Sequence, residues 1–150
     1  MERLRPDDSV PGKIVPPDPV PPDTVPVVAA VIRRKDGAVL LARRPEGKRH
    51  GGLWEFPGGK VLEGESYREA LRRELSEELS VEVTEAGEAL FSARDPGLEY
   101  LIHFVGAEIR GEPVGREHAE VRWIPRHELL SLPMAPADQA FAAALAMLES

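Results

Sequence analysis

The segment from Gly59 to Val81, GKVLEGESYREALRRELSEELSV, constrains this chain more than any other. Ser66-Tyr67-Arg68-Glu69 has the form of a capping box, in which the serine side chain and the glutamate three residues on satisfy each other's backbone donors. A helix is therefore expected from Tyr67 to about Leu79, with Leu71, Leu75 and Leu79 as its apolar stripe. At about 100° per residue, Glu77 and Glu78 fall near −60° and +40° of Glu74, so three carboxylates share an arc of roughly 100°. Like charges at this spacing destabilise an isolated helix. A hard divalent cation turns the liability into a binding site, because Mg²⁺ is held by carboxylate oxygens together with substrate phosphates. The structural alternative is a solvated acidic helix face.

The spacing weighs against that alternative. Gly-x5-Glu-x7-Arg-Glu-Leu-x-Glu-Glu-x-Ser-Val resembles the box of the Nudix family, hydrolases of nucleoside diphosphates linked to another group. One fixed position departs: the family's late glycine is Ser80. The flanking runs LARRPEGKRHGGLWEFPGGK, EHAEVRWIP and LPMAPADQAF are similar to the MutT-type branch, so the resemblance extends from about Pro26 to the C-terminus. It implies an α/β/α sandwich with a mixed β-sheet between helices.

The remaining pattern agrees with that fold. Residues 1–26 carry eight of the fifteen prolines and read as a loose or polyproline-like leader, with residues 27–150 as the catalytic domain. VVAAVIRR and AVLLARR are strand-like runs joined at Lys35-Asp36-Gly37, and Leu53–Phe56 is a short strand stopped by Pro57-Gly58-Gly59. Strands are expected over 81–84, 88–94, 99–109 and 119–124, a short helical turn over 126–131, and a final helix from Ala137 to Leu148 with Phe141, Ala144, Leu145 and Leu148 inward.

Composition narrows the function. A net charge of −7 argues against a general nucleic-acid surface and requires cations, bound or side-chain, to offset repulsion of a phosphorylated substrate. There is no cysteine, hence no thiolate metal site. The N-terminus lacks the apolar core of a signal peptide and no run reaches membrane-spanning length, so a cytoplasmic protein without a membrane or nucleic-acid polymer partner is expected, as monomer or homodimer.

The resemblance also implies roles. The Gly58 carbonyl, Glu74, Glu77 and Glu78 would face Mg²⁺, with Mn²⁺ as a substitute, and Arg73 would hold the glutamates in register. Glu65 would support that cluster without being a ligand, and Lys60 would contact phosphate. Glu117 is expected as a further acidic ligand, ahead of the nearby Glu120. Glu74 and Glu117 are both candidates for the general base. Arg44, Phe56 and Asp138 stand where MutT-type enzymes contact the base or phosphates. Trp54 is read as core in preference to a stacking platform, and Asp138 has a simple helix cap as its structural alternative. A carboxylate accepts hydrogen bonds only, so Asp138 suits guanine N1–H and N2–H₂ or the cytosine N4 amino group.

The leading expectation is a nucleoside triphosphate pyrophosphohydrolase acting on an oxidised guanine nucleotide such as 8-oxo-dGTP. A (deoxy)cytidine triphosphate or broad-range hydrolase is the alternative. A binding module that senses nucleotides without cleavage is the reading from another class, and retention of Glu65, Glu74, Glu77 and Glu78 argues against it. Ser80 is expected to close the helix in a left-handed conformation, at some cost in stability and none in metal binding.

Overall fold

The computed structural model describes residues 24–47, 50–94, 99–116, 118 and 120–149. Most of the proline-rich leader, Glu117 and the side chain of Leu148 lie outside these residues.

Seven strands and two α-helices follow in the order β1 (Val25–Val31), β2 (Val39–Arg43), β3 (Trp54–Glu55), β4 (Gly58–Lys60), α1 (Tyr67–Leu79), β5 (Glu82–Arg94), β6 (Tyr100–Arg110), β7 (Glu120–Ile124), a 3-10 turn (Arg126–Ser131) and α2 (Pro136–Glu149). The mixed sheet is four-stranded, in the order β4-β1-β6-β5, with β1 parallel to β6 and the other pairs antiparallel. β3-β2-β7 forms a second, antiparallel sheet. No helix among the described residues is long and apolar enough to cross a membrane.

β1 is the axis of the fold. Successive side chains of a strand point to opposite faces. Val28, Ala30 and Ile32 join Leu71, Leu75 and Leu79 of α1 in one core, while Ala29 and Val31 join Phe56, Phe104, Phe141 and Leu145 in the other. A strand buried on both faces reads as a continuous apolar run, as VVAAVI does. The second core is aromatic: Phe104 stacks on Phe141 at 4.6 Å, and Phe56 meets both edge-on at 5.6 and 5.2 Å.

Three sequence expectations need correcting. Residues 81–84 and 88–94 are not separate strands: β5 is continuous and absorbs its irregularities as register shifts against β6. Gly58-Gly59 does more than stop a strand, since both glycines belong to β4 and pair with Ala29 and Val28. In α2 the inward position beside Phe141 is Ala142, and Ala144 is only half-buried.

Candidate active site

α1 begins as its sequence dictates. Ser66 accepts from the Glu69 amide at 3.0 Å and Glu69 accepts from the Ser66 amide at 2.9 Å, completing the capping box. The buried Leu71, Leu75 and Leu79 orient the helix, and this turns Arg73, Glu74, Glu77 and Glu78 away from the core.

Arg73 organises that face. Its Nε and Nη2 donate to the two carboxylate oxygens of Glu65 at 2.7 and 2.9 Å, a bidentate pair. Nη1 donates to Glu74 at 3.0 Å, Nη2 also reaches the Lys60 carbonyl at 3.0 Å, and Glu77 lies 3.8 Å from Nη1. The Arg73 guanidinium, helped by the Leu62 amide, holds the Glu65 carboxyl down at about 2. Glu65 in turn raises the Arg73 pKa. Glu65 is thus fastened to the arginine, while Glu74 lies over the backbone of Gly59, where a Cβ would meet its carboxylate.

The other end of α1 is closed by the chain that precedes β7. Ser80 is left-handed, at φ 59° and ψ 38°. The amides of Val114 and Arg116 donate to the carbonyls of Leu79 and Glu78 at 2.9 and 3.0 Å, satisfying groups a helix end leaves open. Arg116 Nε donates to the Ser80 hydroxyl at 2.8 Å. The residue that replaces the box glycine therefore carries a bond that glycine cannot make.

Beside this face lies a cavity of about 510 Å³. Gly58, Gly59, Lys60 and Glu78 line one side, and Arg44, Phe56 and Asp138 line it as well. Six expected site residues from β2–β3, β4, α1 and α2, namely Arg44, Phe56, Gly58, Lys60, Glu78 and Asp138, are thus brought to one cavity. Asp138, at 6 % exposure, stands in the first turn of α2, after its first residue Pro136, so it does not occupy the cap position itself. Phe56 is largely committed to the aromatic core and offers the cavity little surface. Trp54 is core at 6 % exposure. Glu120 opens β7 and is engaged with Arg43 and Arg122 at 3.4 and 3.5 Å.

Two cavity residues carried no signal local enough to read from sequence. Glu55 is bonded to Arg44 at 3.2 Å and to His118 at 2.8 Å, and both Glu55 and His118 line the cavity. Glu55 alternates with buried Trp54 and Phe56, a pattern that hints at an outward carboxylate, but its partner His118 lies 63 positions away.

The donors suit a hard cation: they are carboxylate and carbonyl oxygens, with no sulfur. The open Gly59 backbone lets the Glu74 carboxylate approach it closely. Among the described residues no three acidic or histidine side chains converge closely enough to hold an ion. Arg73 holds Glu74 at 3.0 Å, and Glu77 stands 64 % exposed.

Comparison with known proteins places these features in context. The NUDIX domain profile matches residues 23–145. The chain is 44 % identical over 115 residues to the CTP pyrophosphohydrolase of Escherichia coli K12, covering 75 % of this chain and 84 % of that one. It is 36 % identical over 115 residues to the 8-oxo-dGTP diphosphatase of Haemophilus influenzae, again covering 75 % and 84 %. Among solved structures, the E. coli ORF135 protein superposes with a TM-score of 0.72 at 39 % identity, over 85 % of this chain and 92 % of that one. A MutT chain from a study of the Aliivibrio salmonicida and Vibrio cholerae proteins superposes with a TM-score of 0.69 at 30 % identity, over 83 % and 98 %.

Proposed function

Because the chain belongs to the Nudix family of hydrolases, we propose that it is a Mg²⁺-dependent nucleoside triphosphate pyrophosphohydrolase that releases a nucleoside monophosphate and pyrophosphate. The observation that carries the proposal is the adjacency of two halves. The Arg73-ordered carboxylates of α1 adjoin a cavity lined by Gly58, Lys60, Glu78, Arg44 and Asp138. One half suits phosphates with their counterions, and the other is large enough and polar enough to receive a base.

Glu74, Glu77, Glu78 and the Gly58 carbonyl would hold the cation, which when bound would neutralise charge at the phosphate oxygens and lower the pKa of a water. Glu74 or Glu117 takes the proton of the attacking water. An oxygen–phosphorus bond forms, the bridging phosphoanhydride bond breaks, and pyrophosphate leaves. Arg73 positions Glu74 throughout, with Glu65 fixing the arginine. Lys60 and Arg44 offset negative charge at the mouth, a local need in a protein of net charge −7.

For the base, 8-oxo-dGTP is the leading substrate, supported by the MutT-like flank and by the diphosphatase relative. Cytidine triphosphate is the second reading, favoured by the acceptor-only Asp138 and by the CTP pyrophosphohydrolase relative. A pyrophosphate-release assay on 8-oxo-dGTP, dGTP, CTP, dCTP, dTTP and dATP tests both. The proposal expects 8-oxo-dGTP to give the highest kcat/KM; a maximum at CTP or dCTP would establish the second reading, and turnover of none would reject the hydrolase.

A further inference from the structure

The box position at which Ser80 replaces glycine borders a second cavity, of about 880 Å³, between α1, β5 and β6. Arg72 and Ser76 of α1, Ser80 at its close, Glu82 of β5, Arg110 of β6 and Arg116 line it. Arg72 and Ser76 lie about 160° around the helix to either side of Glu74, so this groove is opposite the carboxylate face. Three arginines and one glutamate give it a charge of +2 in a chain of net charge −7. The C-terminal end of a helix carries about half a negative charge, too little to reverse that sign. The Val114 and Arg116 amides also cover two of the carbonyls at that end.

The arginines are not consumed by the protein's own acids. All three are exposed and so open to a solute. Among the described residues the Arg72 guanidinium has no hydrogen-bond or carboxylate partner, and that of Arg116 meets only the Ser80 hydroxyl, at 2.8 Å. Arg110 holds Glu82 at 3.0 Å, but at 73 % and 65 % exposure that pair contributes little and can exchange. Ser80 Oγ accepts from Arg116 Nε, so its own hydrogen remains to be donated and the Arg116 Nη groups stay uncommitted. Planar guanidinium forks match the oxygens of phosphate groups. We propose that this groove is a second oxyanion site, with Arg72, Arg116 and Ser80 as donors, that takes inorganic phosphate or pyrophosphate. Glycine at position 80 would supply neither the hydroxyl nor the hold on Arg116. The site uses none of the residues assigned to hydrolysis, so it stands or falls apart from that reading.

The experiment is calorimetric titration of the full chain with sodium phosphate and, separately, sodium pyrophosphate, in EDTA at constant ionic strength. The wild type should bind at least one of the two ions saturably, and the titration that saturates identifies the ion. Arg72→Ala should weaken that binding about tenfold, the loss of one charge-assisted contact, and Ser80→Gly about fivefold, the loss of a neutral one. Both replaced side chains are exposed, so neither variant opens the core. Two controls each remove one positive charge elsewhere: Arg34→Ala at the exposed turn after β1, and Lys60→Ala in the catalytic cavity. Each should leave the affinity within about twofold of the wild type. Unchanged affinity in Arg72→Ala or in Ser80→Gly overturns the inference, as does the absence of saturable binding of either ion. Weakening in a control equal to that in Arg72→Ala overturns it too. In Lys60→Ala that result would place the ion in the catalytic cavity, and in Arg34→Ala it would reduce the effect to net charge.

Discussion

Gly58 and Gly59 are neighbours on β4, yet replacing each with alanine should have opposite consequences. At Gly58 an added Cβ meets the Val28 carbonyl oxygen and lies 2.8 Å from the Ala29 Cα, both backbone atoms of the central strand β1. Neither can move without breaking the β1–β4 pairing, so Gly58→Ala should destabilise the fold by about 2 kcal/mol or more, the range of core overpacking. At Gly59 the added Cβ meets only the end of a flexible side chain, the Glu74 carboxylate, with Oε1 at 2.5 Å. Ordinary contact begins at 3.4 Å, so the carboxylate must retreat by about 1 Å. Stability should change by no more than about 1 kcal/mol, since the loss of backbone freedom in the unfolded chain favours alanine. A displacement of 1 Å in a catalytic group costs on the order of 10²-fold in rate. Thermal melting and pyrophosphate release at saturating Mg²⁺ separate the two outcomes. A folded Gly59→Ala variant with near-wild-type kcat would refute the reasoning, since the position of the Glu74 carboxylate would then not matter to the reaction.

Asp138→Ala should reduce kcat/KM for the preferred nucleotide more than for a poor one, by about 1–3 kcal/mol if two base contacts are lost; an equal loss on every nucleotide would reduce Asp138 to a helix-end residue. The Glu65 carboxyl, held at about 2 by Arg73 against an ordinary 4.5, contributes stability that is complete above pH 4.5 and lost as the pH falls toward 2. Glu65→Gln should therefore flatten the fall in melting temperature across that window, and an unchanged acid profile would contradict the pairing. Ser80→Gly relieves a left-handed residue worth about 1 kcal/mol but forfeits the Arg116 bond, worth about the same. The melting temperature should thus barely move in the wild-type background and rise in Arg116→Ala, where nothing is forfeited; a large gain in the wild-type background would show the Ser80–Arg116 bond to be idle.

Local interactions were legible in the sequence and distant ones were not. The start of α1, its apolar stripe and the left-handed close at Ser80 depend on residues within four positions of each other, and each stands where it was expected. β4 escaped because Gly58-Gly59-Lys60 has no strand propensity of its own and becomes a strand only by pairing with β1. β5 is one strand where the sequence pattern suggests two, because pairing with β6 carries the chain through the region between them with shifted register. The motif indicated which carboxylates share a helix face and that Arg73 holds them, but the bidentate bond from Arg73 to Glu65 required the fold. The Glu55–His118 contact joins β3 to the approach to β7, and no periodicity signals it.

The central claim is that the carboxylate face of α1 serves phosphoanhydride cleavage. Its most direct test is product stoichiometry in Mg²⁺, with wild type and Glu77→Gln compared on the preferred triphosphate. Glu77, 64 % exposed, can be neutralised without loss of packing, and relief of repulsion leaves the fold intact. The account predicts one monophosphate and one pyrophosphate per nucleotide from the wild type, none in EDTA, and a rate lower by about two orders of magnitude or more in a normally folded Glu77→Gln. Diphosphate and orthophosphate as products, or full activity in Glu77→Gln, would contradict it.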